Sequence, residues 1–175
     1  MGYRIERRIY VGKQKVLTVV SPGGHLTQAL CCMRDVREFH LVTTKINVVT
    51  EDASSVTVIK GTQFNPLRHF TNIFKAFVIV KKIGPTSVFS TGGPICIPFA
   101  IVCKFLGVNF VYLDTLSRVI ELSNTARFLL RYKLASKMMS QWEEVAEQYE
   151  GVEYYGKTFD ICNDRNEPVR LSKNA

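Results

Sequence analysis

Between Ala53 and Leu113 the chain contains no Asp or Glu, although Lys60, Arg68, Lys75, Lys81, Lys82 and Lys104 all fall inside that stretch. The formal net charge of +8 over 175 residues is therefore concentrated in the middle, and acids return in number only after Trp142. A field of that sign calls for a polyanion: nucleic acid, an anionic membrane surface or a phosphorylated substrate. Long hydrophobic runs are missing too. The longest, Pro94–Leu106, falls short of the roughly 20 residues a spanning helix needs, so membrane association is expected to be peripheral. Residues 1–15 are basic and mixed rather than apolar, which fits neither a signal peptide nor an anchor. The five cysteines include no CxxC pair, so zinc and thioredoxin-like chemistry lack support, and reduced, buried thiols are the plain reading. No metal and no other cofactor is expected.

Nucleotide signatures are equally scarce. There is no GxGxxG, and the second apolar run ends in Thr43-Thr44-Lys45, with no acid for a ribose hydroxyl. Gly12-Lys13 lacks both the loop and the Ser/Thr of a P-loop, and no GxSxG nucleophile elbow occurs.

What remains is an alternation of short β-branched runs with longer helical ones, the signature of an α/β parallel sheet. Strands are expected at Val16–Val20, Phe39–Thr43, Val56–Ile59, Ser87–Ser90, Asn109–Leu113 and Lys137–Ser140. Helices are expected at Leu26–Arg34, Pro66–Ile83, Pro94–Leu106, Leu122–Ala135 and Glu143–Glu150, with Gly107 closing the third. The fold this predicts is a Rossmann-like, doubly wound parallel sheet over residues 1–156. A polar tail over 157–175 has too few apolar residues to fold alone.

Two glycine loops each leave a strand and open a helix: Ser21-Pro22-Gly23-Gly24-His25 and Ser90-Thr91-Gly92-Gly93-Pro94. Glycine admits close backbone approach, and a helix N-terminus offers unpaired N–H groups with a positive dipole end. In a sheet of order 3-2-1-4-5-6 the strands before these loops are neighbours at the switch point, so both loops face one crevice. They are either phosphate cradles or tight turns that need glycine only sterically; their coincidence favours the cradle. His25 is a candidate base or diphosphate donor, or else a first-turn cap. Asp114, following the fifth strand, is a candidate base or orienter of an acceptor hydroxyl, or else a turn Asp. Arg118 pairs with a phosphate or holds Asp114. Pro66–Ile83 is amphipathic and basic, and Pro94–Leu106 is apolar nearly all round. Such helices either lie on anionic lipid or simply cover the sheet.

Read together, several ordered motifs resemble a known family. They are Ser-Pro-Gly-Gly-His-Leu-Thr-Gln at 21–28, Ser-Thr-Gly-Gly at 90–93, Val-Tyr-Leu-Asp-Thr-Leu-Ser-Arg-Val at 111–119, Gln-Trp-Glu-Glu at 141–144 and Val-Glu-Tyr-Tyr-Gly at 152–156. They resemble the oligosaccharide-biosynthesis family of the membrane-recruiting subunit of the split N-acetylglucosaminyltransferase, whose shorter bacterial relatives serve exopolysaccharide and capsule assembly. The resemblance spans Val16 to Gly156. It implies the N-terminal, acceptor-binding half of a type-B glycosyltransferase, peripheral on the cytoplasmic face of the inner membrane. The implied partners are a separate nucleotide-sugar-binding subunit, a polyprenyl-diphosphate-linked saccharide and the anionic membrane surface. It implies contacts from Gly23, Gly24, His25, Gly92 and Gly93 to the acceptor diphosphate; on the reading of the residues themselves His25 and Asp114 are the candidate catalytic residues, with Ser21, Thr91 and Arg118 joining the phosphate site. Such proteins usually carry Glu where this chain has Asp114. The basic N-terminus, in place of the eukaryotic anchor, points to the bacterial type.

Two other classes compete. A basic module for nucleic acid would interleave aromatic and basic residues on a strand face, a pattern this sequence does not have, so nucleic acid is not expected as a partner. A complete small enzyme would need a second domain to close over its substrate.

Overall fold

The computed structural model describes residues 15–44, 53–61 and 66–159. Its seven strands form one parallel sheet: β1 (Val16–Val19), β2 (Phe39–Thr43), β3 (Ser55–Val58), β4 (Ser87–Ser90), β5 (Asn109–Leu113), β6 (Lys137–Ser140) and β7 (Val152–Tyr154). The spatial order is β3-β2-β1-β4-β5-β6-β7, with parallel register throughout, as in Val16 opposite both Phe39 and Ser87. The expected order holds, and β7 extends it by one strand. The helices are α1 (Gly24–Met33), α2 (Pro66–Ile83), α3 (Cys96–Leu106), α4 (Asn124–Arg131) and α5 (Glu143–Glu147).

The sheet is covered on both faces, as its strand sequences require. On one face Leu17, Val19, Val42, Val88, Phe110 and Tyr112 pack under Ala76 and Val80 of α2, Phe99 and Val102 of α3, Ala126 and Leu129 of α4 and Val145 of α5. On the other, Val16, Phe39, Leu41, Phe89 and Leu113 pack under Leu26, Ala29, Leu30 and Met33 of α1. Period-2 alternation along β5 sends Phe110 and Tyr112 to the first core and Leu113 to the second.

Local chemistry sets the helix limits. Gly107 caps α3 at φ 68, ψ 22, with its N–H on the Cys103 carbonyl. The helix starts at Cys96, two residues later than expected, after a tight turn in which Cys96 N donates to Gly93 O and Ile97 N to Pro94 O. Pro98 then falls in the first turn, where its missing N–H costs no helical bond. α4 is shorter than expected because Ser123 caps it, accepting from Ala126 N, and Lys133 turns the chain away at φ 49. The reading of reduced, buried thiols holds for Cys96 and Cys103; Cys32 is free but only half-buried, and Cys31 departs from it, being disulfide-bonded. Thr158, assigned to the polar tail, is buried and donates both its N–H and its hydroxyl to Gln141 Oε1, each at 2.8 Å.

Candidate functional site

Because every strand is parallel, the connections after β1, β4, β5 and β6 all leave the same edge of the sheet. The two glycine loops come together there. His25 Nδ1 lies 2.8 Å from the Thr91 carbonyl oxygen, and the Thr91 hydroxyl donates to the His25 carbonyl at 2.6 Å. A carbonyl can only accept, so Nδ1 carries a proton, and in the neutral ring Nε2 is the nitrogen with the lone pair. Ser21 N donates to Gly92 O at 3.4 Å, closing the contact at the other end.

The loops differ in what surrounds them. Gly92 and Gly93 are buried at φ 128 and 92, and a Cβ on Gly92 would fall 2.7 Å from the His25 ring and 3.3 Å from the Tyr112 hydroxyl. On Gly93 a Cβ would fall 1.9 Å from Ser21 Oγ. Here glycine is required twice, by conformation and by space. Gly23 and Gly24 are exposed, and nothing lies within 4 Å of a Cβ added at Gly23. The first bond of α1 runs from Thr27 N to Gly23 O, and no side chain caps the helix. The amides before Thr27 therefore have no intrahelical acceptor. The second loop supports the first, and the first faces open space.

Asp114 is 2% exposed, and its carboxylate is fully engaged. Oδ1 accepts from Ser123 Oγ at 2.7 Å, Thr115 N at 3.0 Å and Tyr112 OH at 3.3 Å, while Oδ2 accepts from Ser123 N at 2.7 Å. Its task in this geometry is to close the ends of the 115–122 loop and orient the Ser123 cap of α4. Burial, with Cys96 and Asp114 nearby, pushes the Tyr112 phenol well above its usual range, so it stays a neutral donor. Burial also raises the Cys96 thiol to about 12 and the Cys103 thiol to about 12, which removes both as nucleophiles. Arg118 is exposed, and among the described residues no ion pair joins it to Asp114.

Two glutamines complete the edge, neither of them assigned a role by sequence. Gln141 is 1% exposed; its Nε2 donates to Gln28 Oε1 at 2.7 Å and to Asp114 O at 2.9 Å. Gln28 Oε1 also accepts from Leu116 N at 3.0 Å. The only sequence signal was that Gln28 and Gln141 each lie in one of the ordered motifs. Among the described residues no group of three or more His, Cys, Asp or Glu is placed to hold a metal.

An α/β Rossmann-like fold of the glycosyltransferase type is what the sheet order and its loops define, and solved structures agree. MurG of Acinetobacter baumannii superposes with a TM-score of 0.65 at 15% identity, over 82% of this chain and 45% of that one. UDP-N-acetylglucosamine 2-epimerase from Rickettsia bellii does so with 0.62 at 16% identity, over 88% and 47%. The family described as "Oligosaccharide biosynthesis protein Alg14 like" matches residues 57–158, and the chain belongs to that family. The UDP-N-acetylglucosamine transferase subunit ALG14 of Candida albicans is 31% identical over 97 residues, which is 52% of this chain and 43% of the relative. The chain thus spans less than half the length of each of these three proteins.

Proposed function

We propose that the chain is the acceptor-binding subunit of a two-component glycosyltransferase, joining a nucleotide-sugar-binding partner to move sugar onto a polyprenyl-diphosphate-linked saccharide. The context we infer is bacterial exopolysaccharide or capsule assembly at the cytoplasmic face of the inner membrane. One observation carries this reading: an open glycine loop with free helix-start amides, braced from beneath by a second glycine loop, in an Alg14-like chain. In this reading Gly23, Gly24 and Ser21 cradle the acceptor diphosphate, with Arg118 adding charge. Thr91, Gly92 and Gly93 fix the cradle from behind. His25, its Nδ1–H held by the Thr91 carbonyl, presents Nε2 as base to the acceptor hydroxyl. Asp114, already accepting from Ser123, Thr115 and Tyr112, anchors the neighbouring loop rather than taking the proton.

Membrane contact belongs to the same proposal. The outer face of α2 exposes Phe70 (79%), Phe74 (70%) and Val78, together with Lys75, Lys81 and Lys82, and Phe105 of α3 stands 83% exposed. Aromatic side chains among lysines, in a stretch of sequence without Asp or Glu, suit the interface of an anionic bilayer. No helix of the described residues is long and apolar enough to cross a membrane.

The roles are tested in the assembled complex. His25→Ala is expected to lower kcat by about 10²–10³ while changing stability by no more than about 1 kcal/mol. Asp114→Asn is expected to lower thermal stability and to leave the acidic limb of the pH–rate profile in place. Loss of that limb in Asp114→Asn, with its retention in His25→Ala, would assign the base to Asp114 instead.

A further inference from the structure

The 115–121 segment is irregular and largely outward-facing: Ser117, Arg118, Val119, Ile120 and Glu121 are all exposed, Ile120 by 80%. Such a loop buries little apolar surface and is ordinarily mobile. Here it is gripped at one residue, through the peptide groups on either side of it. The Leu116 N–H donates to Gln28 Oε1 at 3.0 Å, and the Leu116 carbonyl accepts from Trp142 Nε1 at 2.8 Å. Each grip is itself held. Gln141 Nε2 fixes Gln28 Oε1 from behind, while Gln28 Nε2 reaches Thr115 Oγ1 at 3.3 Å. Trp142 is seated by its own N–H on Ser140 Oγ and covered by Lys157 Nζ at 4.3 Å from the ring centroid.

Freezing an exposed loop costs conformational entropy that the burial of Thr115 and the partial burial of Leu116 offset only in part. That cost makes sense where a binding partner would otherwise have to order the loop. Gln28 lies one turn beyond the open glycine loop, and the Tyr112–Asp114 pair lies directly beneath the second loop. The gripped segment therefore lies at the same sheet edge as the two glycine loops, with Arg118 two residues past Leu116.

We propose that Gln28 and Trp142 are positioning residues that hold the Leu116 peptide and so preform the 115–121 loop, with Arg118, for a polyprenyl diphosphate. The idea deepens the acceptor reading above and rests on it. The bland alternative, a network that merely seals the sheet edge, predicts loss of stability without a localised effect on the loop or on ligand.

The test uses the intact chain and farnesyl diphosphate as probe, titrated against the parent, Gln28→Met, Trp142→Phe and the double variant. Both substitutions keep bulk and remove one grip each. Amide hydrogen exchange at Leu116 is followed in the same proteins. Each single variant is expected to raise Kd about three- to tenfold and to speed exchange at Leu116 while leaving the β-sheet amides protected. The double variant is expected to bind about as weakly as the worse single one, because the two bonds hold Leu116 only together and loss of either releases the loop. Parental Kd in both single variants, effects that multiply in the double variant, or unchanged exchange at Leu116 would each overturn the proposal. If the parent itself does not bind farnesyl diphosphate, the acceptor reading fails; exchange at Leu116 then decides on its own whether the grip exists.

Discussion

The crevice edge of the sheet and the outer face of α2 and α3 are built by opposite rules. At the crevice edge the buried polar side chains are saturated: Asp114 accepts from three residues, Gln141 bonds to Gln28, Asp114 and Thr158, and Gly92 and Gly93 leave no room even for a methyl group. On the outer face of α2 and α3, Phe70, Phe74 and Phe105 lie open among lysines. One region is specified by shape and hydrogen bonding, the other by composition alone. A surface so specified tolerates substitution without loss of fold, whereas the crevice edge does not. On the function proposed above, the edge would carry fine recognition and the outer face adhesion.

Substitution can break that contrast, and the largest effect is expected at the edge. Gly93→Ala combines φ 92 with a Cβ 1.9 Å from Ser21 Oγ and 2.6 Å from Ser21 Cβ. It is expected to cost about 3 kcal/mol or more in denaturant unfolding; a loss below 1 kcal/mol would show that the edge is less tightly specified than described. Next in size is charge reversal on α2. Replacing Lys75, Lys81 and Lys82 by Glu removes about 1 kcal/mol of attraction per lysine to an anionic bilayer, so flotation with anionic vesicles is expected to disappear. The smallest effect is expected from Phe70→Ser with Phe74→Ser. Vesicle affinity should fall about tenfold, in line with the partial loss of two buried aromatic side chains, with unfolding free energy within about 0.5 kcal/mol of the parent. If the serine pair unfolds the protein while vesicle binding persists, the outer face is core in disguise and the comparison collapses.

Much of the architecture was legible in the sequence, because Val16–Val19, Phe39–Thr43, Asn109–Leu113 and the other β-rich runs are separated by helical periods and glycine punctuation. The six expected strands and their order follow from that pattern. β7 did not, since three residues, Val152–Tyr154, carry no measurable period and two of them are exposed. α2 was placed to the residue, yet its sequence could not say which apolar face was inside. Ile73, Ala76 and Val80 pack on the sheet while Phe70, Phe74 and Val78 do not, and both sets recur at helical spacing. At the site, glycine spacing and neighbouring strands announced the meeting of the loops. The division of labour between them was hidden, because burial of Gly92 and Gly93 depends on His25 and Ser21, about 70 positions away in the chain. Asp114 read as a lone acid at a sheet edge. Its engagement by Ser123, nine residues later, is a tertiary fact that no local pattern encodes. The same holds for Gln28 and Gln141, 113 positions apart.

The central claim is that this chain supplies the acceptor half of a transferase and needs a separate donor half. The direct measurement is transfer of labelled sugar from a nucleotide sugar to a polyprenyl-diphosphate-linked saccharide. It compares the purified chain alone with the chain co-expressed with a nucleotide-sugar-binding subunit. The account predicts no transfer by the chain alone and turnover by the pair, lost again when His25 is replaced by Ala. Robust turnover by the isolated chain would contradict it.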